Sequence, residues 1–217
     1  MLVEYVITEE DLAGPFVDGI PADYSEQAAM EGLSYTGPVE MFSERFHIDA
    51  DLLAALNPEA DFSAVGQPII VTAVEGQAIA GIIARIDVDK TLKQLRAYDA
   101  DGRLIVAYPA TIGSSDNPSP SGGHTVREIV PDPWYNYDPD NFVQGDNMQE
   151  LTLPPGPNNP VGNIWIALSE PGYGIHGTPE PSRIDKTGSH GCIRLTNWDA
   201  AELAGLVQPG VPVTFME

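Results

Sequence analysis

Basic residues are scarce in this chain, and their scarcity excludes some partners. The 217 residues contain 10 Lys and Arg against 32 Asp and Glu, which gives a formal net charge of −22. The imbalance is steepest at the start, where residues 1–77 hold 15 acidic residues and 1 basic residue. A chain with this charge repels nucleic acid and anionic membranes, so we expect neither as a partner. The charge itself is typical of adaptation for solubility or salt tolerance.

Long apolar runs are also absent. No window of about 18 apolar residues occurs, so the sequence predicts no transmembrane helix. The first residues, MLVEYVITEEDLAG, have neither the basic start nor the apolar core of a signal peptide. We therefore expect that an exported form of this protein would already have lost its signal, with Met1 added afterwards.

Cysteine occurs once, at position 192, whereas glycine and proline are plentiful at 21 and 20 residues. A single thiol cannot form an internal disulfide, which leaves the redox compartment open and makes that residue a candidate for chemistry. The many glycines and prolines are typical of short strands joined by turns. The composition therefore favours a mostly β fold.

The first third of the chain is predicted to form an acidic arm followed by a small module. Residues 1–30 contain several Pro and Gly breakers and predict an extended arm with little regular structure. Residues 31–76 predict the order strand, helix, helix, strand, with Asp49 capping the second helix and Asn57-Pro58 ending it. The four predicted elements are Leu33–Thr36, Val39–Phe46, Ala50–Leu56 and Pro68–Val74.

This order, with LLAALNP before GQPIIV, resembles the LysM peptidoglycan-binding module. The stretch TGPVEMF stands where a Gly-Asp-Thr sequence is usual at the first helix, so the resemblance is to a degenerate copy. A LysM-like module implies contact with glycan strands. A copy with a purely structural role is the alternative.

Residues 78–217 predict a second, β-rich domain. Asp101-Gly102 between two strand-like runs is typical of a hairpin turn. The composition of residues 114–126 and 131–162 predicts loops, and the second of these carries several aromatic residues. A helix is predicted at Trp198–Val207. The predicted strands are Ala80–Val88, Lys93–Tyr98, Arg103–Tyr108, Asn163–Leu168 and Val211–Phe215.

Cys192 lies in the Gly-rich stretch SHGCIR, with His190 two residues before it and His176 further upstream. A cysteine nucleophile needs a base that takes its proton and donors for the developing oxyanion. Gly191 permits a tight turn, so the N–H groups of Gly191 and Cys192 can face a substrate carbonyl. We prefer His176 as the base because it lies on a separate segment, whereas a strand would hold His190 roughly 6–7 Å from Cys192.

Two other interpretations of these residues stay open. A lone cysteine is usually a small buried hydrophobic residue, and a lone histidine is usually structural. A zinc site formed by His176, His190 and Cys192, with His124, is the second alternative, although the spacing matches no common zinc pattern. Papain-like chemistry is excluded, because no histidine follows Cys192 in the chain.

The stretch IHGTPEPSRIDKTGSHGCIRLTN resembles the signature of the L,D-transpeptidase catalytic domain. In that signature a histidine and a spacer precede Ser/Thr-His-Gly-Cys, an aliphatic residue, and Arg or Asn. SPSGGHTV and PPGPNNPVGNIWI are similar to two further segments of the family, and the resemblance covers about residues 78–217. It implies a mostly β fold, with an L,D-transpeptidase-type β-sandwich domain preceded by the small βααβ module. Residues 131–162 would then be an insertion or a lid over the cleft.

The resemblance also implies a role for each residue of the signature. Cys192 would attack a donor stem peptide between the L-centre of its diamino acid and the terminal D-Ala, while His176 would take the thiol proton and return it. Gly191 and Cys192 would supply the oxyanion donors, and Arg194 would bind the D-Ala carboxylate. The remaining residues that would orient the site or the substrate are His190, Ser189, Gly177 and Asn197.

The resemblance therefore predicts a transferase of peptidoglycan biosynthesis that forms 3–3 cross-links between donor and acceptor stem peptides and contributes to cell shape. An L,D-carboxypeptidase that uses water as acceptor would need the same residues, and it stays open. A non-catalytic peptidoglycan-binding protein is a further alternative. No metal or organic cofactor is expected, and the substrate implies a periplasmic or cell-envelope location. Carbapenems acylate this family, so we expect an adduct on Cys192.

Overall fold

The structure is a computed structural model that describes residues 1–74, 79, 81–114 and 117–217. Three predictions fall partly outside the described residues. These are the domain junction at residues 76–78, the start of the strand run at Ala80, and positions 115–116 of the predicted loop 114–126.

The chain divides into two units, which we call the N-terminal unit and the C-terminal unit. The N-terminal unit comprises Met1–Ala78 and Asn136–Asn158, and the C-terminal unit comprises Ile79–Tyr135 and Asn159–Glu217. In chain order the helices and strands of the described residues are β1 (Leu2–Val6), α1 (Tyr24–Ala28), α2 (Pro38–Arg45), α3 (Ala50–Leu56), β2 (Pro68–Thr72), β3 (Arg85–Asp89), β4 (Gln94–Tyr98), β5 (Leu104–Pro109), β6 (Thr111–Ile112), β7 (Gly122–Pro131), β8 (Tyr135–Tyr137), β9 (Leu151–Leu153), β10 (Ile164–Leu168), β11 (Gly174–His176), a 3-10 turn (Pro181–Arg183), β12 (Ile193–Arg194), α4 (Asn197–Leu206) and β13 (Pro212–Met216).

The core of the N-terminal unit is an antiparallel strand pair packed with two helices. β1 pairs with β2 along its whole length, from Leu2 opposite Thr72 to Val6 opposite Pro68. α3 packs against both α2 and β2. The buried apolar residues that form this core are Ile7, Phe42, Phe46, Ile48, Leu53, Ile69 and Val71.

The first strand of this unit is not where the sequence predicts it. Leu33–Thr36 is not a strand, and residues 1–30 are not an arm without regular structure, because they contain β1 and α1. The Leu33 N–H donates to Pro155 O, and Leu33 O accepts from the Asn158 N–H, so this segment bonds to a loop. Local sequence patterns do not predict β1, because the strand that pairs with it, β2, lies far along the chain.

The two longer helices and the second strand lie close to their predicted positions. α3 spans Ala50–Leu56 as predicted, and the Asp49 side chain caps it by accepting from two backbone N–H groups. The Asn57 amide then donates to Leu53 O and to Ile70 O, while its Oδ1 accepts from the Ile70 N–H. One side chain thus ties the end of α3 to β2. The resemblance of this unit to a LysM module stays a prediction.

The middle of the segment 131–162 belongs to the N-terminal unit. β8 and β9 pair with each other there, where the sequence predicts only a loop. The buried Tyr137 ring lies edge-on to Tyr24 at 5.4 Å and to Phe142 at 5.3 Å between centroids. The Gln144 side chain accepts from the Tyr24 N–H and donates to Ala22 O. Tyr137 and Phe142, two of the aromatic residues of this segment, therefore pack within the N-terminal unit.

A nine-stranded sheet, counted over the described residues, forms the C-terminal unit. Its strand order is β5-β4-β3-β13-β7-β10-β11-β12-β6. Neighbouring strands are antiparallel except β3 with β13 and β11 with β12, which are parallel. The ten-residue strand β7 pairs with β13 on one side and β10 on the other, and it joins the two halves of a sandwich-like sheet. The mostly β prediction is confirmed.

The hairpin turn and the helix of this unit lie close to the positions that the sequence predicts. Asp101-Gly102 lies between β4 and β5, as predicted, with Gly102 at φ 80°. α4 begins at Asn197, and the Thr196 hydroxyl caps it by accepting from the Asp199 N–H. α4 packs against β10 and β11 and buries its apolar side in the sheet core. Over the part of the chain that is described, no helix is long and apolar enough to cross a bilayer.

Candidate active site

Two parallel strands place the signature residues beside one another. β11 ends at His176, and β12 begins at Ile193, directly after Cys192. In their register Ile175 lies opposite Ile193, and His176 lies opposite Arg194. The two isoleucines are fully buried in the core, so the alternation of strand residues turns His176 and Arg194 toward the other face.

One cation influences the titratable groups of this face. Burial has the largest effect on the pKa of His176, His190 and Cys192, and the charge of Arg194 has a further effect on each. Arg194 lowers the pKa of the two histidines further, whereas at Cys192 it opposes the rise that burial causes. Arg194 is therefore a charge that the titratable groups of the signature share.

His176 is buried and held by the backbone. Its Nδ1 lies 2.6 Å from Gly177 O, which can only accept a hydrogen bond, so Nδ1 carries the proton of the neutral ring. Nε2 keeps its lone pair, which is the form that a general base needs. The Trp165 indole stacks on the imidazole with 5.6 Å between centroids and 22° between planes. The backbone carbonyl and the indole together fix the orientation of the ring.

Burial shifts the pKa values of both His176 and Cys192. Burial, together with Arg194, lowers the pKa of His176 to about 3. Burial raises the pKa of Cys192, although the backbone of Gly174 and the charge of Arg194 oppose this rise. Both shifts favour the uncharged forms of these residues, the thiol of Cys192 and the neutral imidazole of His176.

The Cys192 thiol lies beside the backbone of Gly172. Cys192 is half-buried, and its Sγ lies 3.7 Å from Gly172 O. His124, the further ligand in the zinc alternative, lies on β7 with its ring edge-on to Phe215 at 5.6 Å. Among the described residues, no group of three or more His, Cys, Asp or Glu side chains is placed to hold a metal ion.

Ser189 and His190 have different surroundings. Ser189 is buried, its hydroxyl donates to Cys192 O at 2.6 Å, and its N–H donates to Gly113 O at 3.0 Å. His190 is exposed, and its pKa is lowered by partial burial of the ring and by Arg194. Ser189 is thus placed to shape the turn at Cys192, whereas His190 is placed where a bound molecule could reach it.

Gly177 and Asn197 lie against each other behind His176. Asn197 is buried at the start of α4. A Cβ on Gly177 would lie 2.2 Å from Asn197 Oδ1, and a Cβ on Gly162 would lie 2.0 Å from the same atom. Only glycine fits at these two positions, so the Asn197 side chain supports the backbone whose carbonyl accepts from His176.

Three residues near the site carry no role in the sequence-based prediction. Trp165 lies opposite His176 in the register of β10 and β11, and Tyr173 packs beside Gly191. The Ser119 hydroxyl donates to Gly191 O at 2.7 Å. Trp165 and Ser119 lie in NIWI and SPSGG, two stretches that the family resemblance includes, but only the fold shows which atoms they contact.

Gly191 has a backbone conformation that other residues rarely adopt. Its φ is 98°, and a Cβ there would lie 2.6 Å from Tyr173 Cε1 and 3.3 Å from Pro118 O. We expect Gly191→Ala to lower the free energy of unfolding by about 1–3 kcal/mol and the alkylation rate of Cys192 by iodoacetamide at least about tenfold. Thermal unfolding and intact-protein mass spectrometry measure the two effects.

The matched control for this change is Gly205→Ala. Gly205 lies in α4, and a Cβ there meets nothing within 4 Å. Alanine favours a helix over glycine by roughly 0.5–1 kcal/mol, so this variant should be at least as stable as the wild type and should keep its thiol reactivity. A Gly191→Ala chain that matches the wild type in both measurements would show that the turn is not constrained.

Comparisons with known proteins identify the family of this chain. The family model of the L,D-transpeptidase catalytic domain (YkuD) matches residues 83–214. YkuD of Bacillus licheniformis, which is named as a candidate L,D-transpeptidase, is 31% identical over 178 residues, which are 81% of this chain and 92% of that protein. YkuD of Bacillus subtilis, named in the same way, is 50% identical over 58 residues, which are 27% of this chain and 35% of that protein.

The fold has solved counterparts as well. L,D-transpeptidase 3 from Mycobacterium tuberculosis superposes with a TM-score of 0.51 at 16% identity, and the match covers 73% of this chain and 78% of that one. This similarity shows the fold alone. The family model and the sequence relatives show to which family the chain belongs. This chain belongs to the L,D-transpeptidase family and carries its YkuD-type catalytic domain.

Proposed function

We propose that this chain is a cysteine-dependent L,D-transpeptidase that forms 3–3 cross-links between peptidoglycan stem peptides. The observation that carries the proposal is His176, with its proton on Nδ1, at the end of β11 beside β12, which begins directly after Cys192. The charge of Arg194 acts on the pKa of both residues. This is a nucleophile and a base in the protonation states that acyl transfer needs. Membership of the family supplies the substrate class, which is peptidoglycan stem peptides.

In the first half of the reaction Cys192 is acylated. Sγ attacks the carbonyl that joins the L-centre of the donor's diamino acid to the terminal D-Ala, and His176 Nε2 takes the thiol proton. The N–H groups of Gly191 and Cys192 bind the oxyanion of the tetrahedral intermediate. When the C–N bond breaks, the imidazolium returns its proton to the amine of D-Ala, which leaves, and a thioester remains on Cys192.

In the second half the thioester is resolved by an acceptor. The side-chain amine of a second stem attacks the thioester carbonyl and loses a proton to His176, and the thiol of Cys192 leaves with that proton. An amide bond between two diamino acids is the product, which is the 3–3 cross-link. An L,D-carboxypeptidase would use water at this step and release a tripeptide stem, so the acceptor alone separates the two activities.

The remaining predicted residues take supporting roles in this proposal. Arg194 binds the carboxylate of the terminal D-Ala, for which a guanidinium is well suited. His190 is exposed beside it and contacts the substrate. Ser189 holds the turn at Cys192, and Gly177 with Asn197 holds the backbone that orients His176. We place the reaction in the periplasm or the cell envelope, where its substrate lies, and expect it to contribute to cell shape.

The N-terminal unit offers a surface for the glycan contact that a LysM-like module implies. A groove of about 620 Å³ lies between β1, α2 and the segments around Phe16 and Tyr35. Aromatic rings and hydroxyl groups line it, and the ion pair of Arg45 with Asp11 crosses it at 2.6 Å. Rings beside carboxylate and hydroxyl groups are suited to bind sugars, so we propose glycan binding in this groove.

A digest of isolated sacculi separates the candidate activities. Purified protein is incubated with sacculi rich in tetrapeptide stems, which are then digested to muropeptides and analysed by mass spectrometry. We expect 3–3 cross-linked dimers and free D-Ala. Tripeptide monomers without dimers would indicate the carboxypeptidase, and neither product would indicate a non-catalytic binding protein.

A further inference from the structure

Ser119 is the only described side chain outside the catalytic signature whose hydroxyl bonds to the Gly191–Cys192 peptide group. Its Oγ donates to Gly191 O at 2.7 Å, and 72 residues separate the two along the chain. The bond is buried, because Ser119 is only 7% exposed. A buried hydroxyl bonded to a backbone carbonyl of the nucleophile turn indicates a positioning role, because it restrains a peptide plane next to a glycine, whose backbone dihedral angles are the least restricted.

The geometry of the peptide group shows what this bond controls. A peptide unit is planar and trans, so the Gly191 C=O and the Cys192 N–H point in opposite directions. A donor that holds the carbonyl from one side therefore aims the N–H toward the other side. The Cys192 N–H is a proposed oxyanion donor, and Ser119 sets the direction in which that donor points.

Ser119 is itself held firmly. Gly113 has φ 56°, and a Cβ there would lie 2.5 Å from Ser119 N and 2.9 Å from its Oγ, so the two residues are in close contact. Gly113 O accepts from the Ser189 N–H at 3.0 Å. The start and the end of the Gly113–Ser119 loop thus both bond to the Ser189–Cys192 turn. Gly113 and Ser119 thus each bond to the turn whose peptide plane Ser119 holds.

We propose that Ser119 is a positioning residue that holds the Gly191–Cys192 peptide plane so that the Cys192 N–H faces the acyl oxygen. This inference rests on the proposed function, because an oxyanion forms only if Cys192 attacks a carbonyl. The contact that Ser119 makes in this role is with Gly191 O. Ser119 acts on the rate of acylation through the backbone donor alone.

Two reagents separate this role from a general effect on the thiol. Iodoacetamide alkylates Cys192 by displacing iodide at a saturated carbon, with no oxyanion, and the thiol proton leaves with iodide as HI. A carbapenem acylates Cys192 through a tetrahedral oxyanion, after which the lactam C–N bond breaks and the nitrogen takes the proton. Only the second reaction uses the Cys192 N–H as an oxyanion donor.

We expect Ser119→Ala to lower the carbapenem acylation rate about 10- to 100-fold and to leave iodoacetamide alkylation within about twofold of wild type. Ser119→Thr keeps the hydroxyl and should acylate within about threefold of wild type. Ser121 is an exposed serine two residues further along the chain, so Ser121→Ala is the matched control and should match wild type with both reagents. In the infrared spectrum of the acyl-enzyme, the carbonyl stretch of Ser119→Ala should move to higher frequency, because its hydrogen bond is weaker.

The outcomes of this experiment are distinct. If both rates fall together in Ser119→Ala, or if Ser119→Thr is as slow as Ser119→Ala, the positioning role is wrong. Unchanged acylation in Ser119→Ala also overturns it. A wild-type chain that is alkylated on Cys192 by iodoacetamide but takes no carbapenem would overturn the proposed function and the role of Ser119 with it.

Discussion

Cys192→Ala should abolish the covalent adduct that a carbapenem forms with this chain, together with all transpeptidation. Cys192 is the only cysteine, so no second thiol can replace it. Cys192→Ser should lose turnover by at least about three orders of magnitude, because an alcohol is far less acidic than a thiol and the resting pair already keeps its proton on the nucleophile. Intact-protein mass spectrometry measures the adduct, and a peptide map locates it.

A chemical control reaches the same conclusion without a substitution. Wild-type protein that has been alkylated with iodoacetamide has its only thiol blocked, so it should take no carbapenem and give no muropeptide dimers. A substitution can abolish the adduct by disturbing the fold, whereas alkylation blocks the thiol of a chain that has already folded. Agreement between the substitution and the alkylation therefore excludes misfolding as the cause. An adduct of unchanged mass in Cys192→Ala would end the proposal that Cys192 is the nucleophile.

His176→Gln should lower acylation of Cys192 by about 10²–10⁴-fold, the usual contribution of a general base. The pKa of His176 is lowered to about 3 from the ordinary value of 6.5. The ring therefore stays unprotonated as the pH falls through 6.5, and the wild-type rate should persist there. Its acid limb should appear only at lower pH, and His176→Gln should show no such limb. Single-turnover acylation between about pH 2.5 and pH 8 measures both effects.

Two further variants sharpen the test of His176. Arg194→Met removes the cation that helps to lower the pKa of His176, so the acid limb should move to higher pH. His124→Gln changes a histidine outside the site, whose ring packs on Phe215, and it should leave the rate and the limb unchanged. A wild-type acid limb centred near 6.5 would show that the base is not a buried imidazole beside a guanidinium.

The family could be recognised from the sequence because its signature is local. Ser189, His190, Gly191, Cys192 and Arg194 are close in sequence, and a glycine before a lone cysteine already indicates a turn that exposes backbone donors. The mostly β class followed from glycine, proline and short alternating runs, and the α3 cap followed from the single residue Asp49. Each of these predictions depends on neighbours within a few residues.

The features that could not be predicted depend on distant pairs. β1 is a strand because β2 pairs with it, and the acidic, breaker-rich sequence of residues 1–30 conceals this. In the sequence Ser119 looks like any serine in a loop, and only the fold shows that its hydroxyl bonds to Gly191 O. The aromatic residue Tyr137 indicates packing, but the sequence gives no sign that Tyr24 is its partner.

The discontinuous N-terminal unit has a consequence for how the protein is made. Its second piece, Asn136–Asn158, leaves the ribosome only after the first half of the C-terminal unit, so the N-terminal unit cannot complete its fold as soon as its first 78 residues emerge. Chains usually fold domain by domain from the N-terminus. Here Tyr137 and Leu153 have to reach a partially folded unit after strands of the other unit have already been synthesised, so the two units mature as interleaved steps of one process.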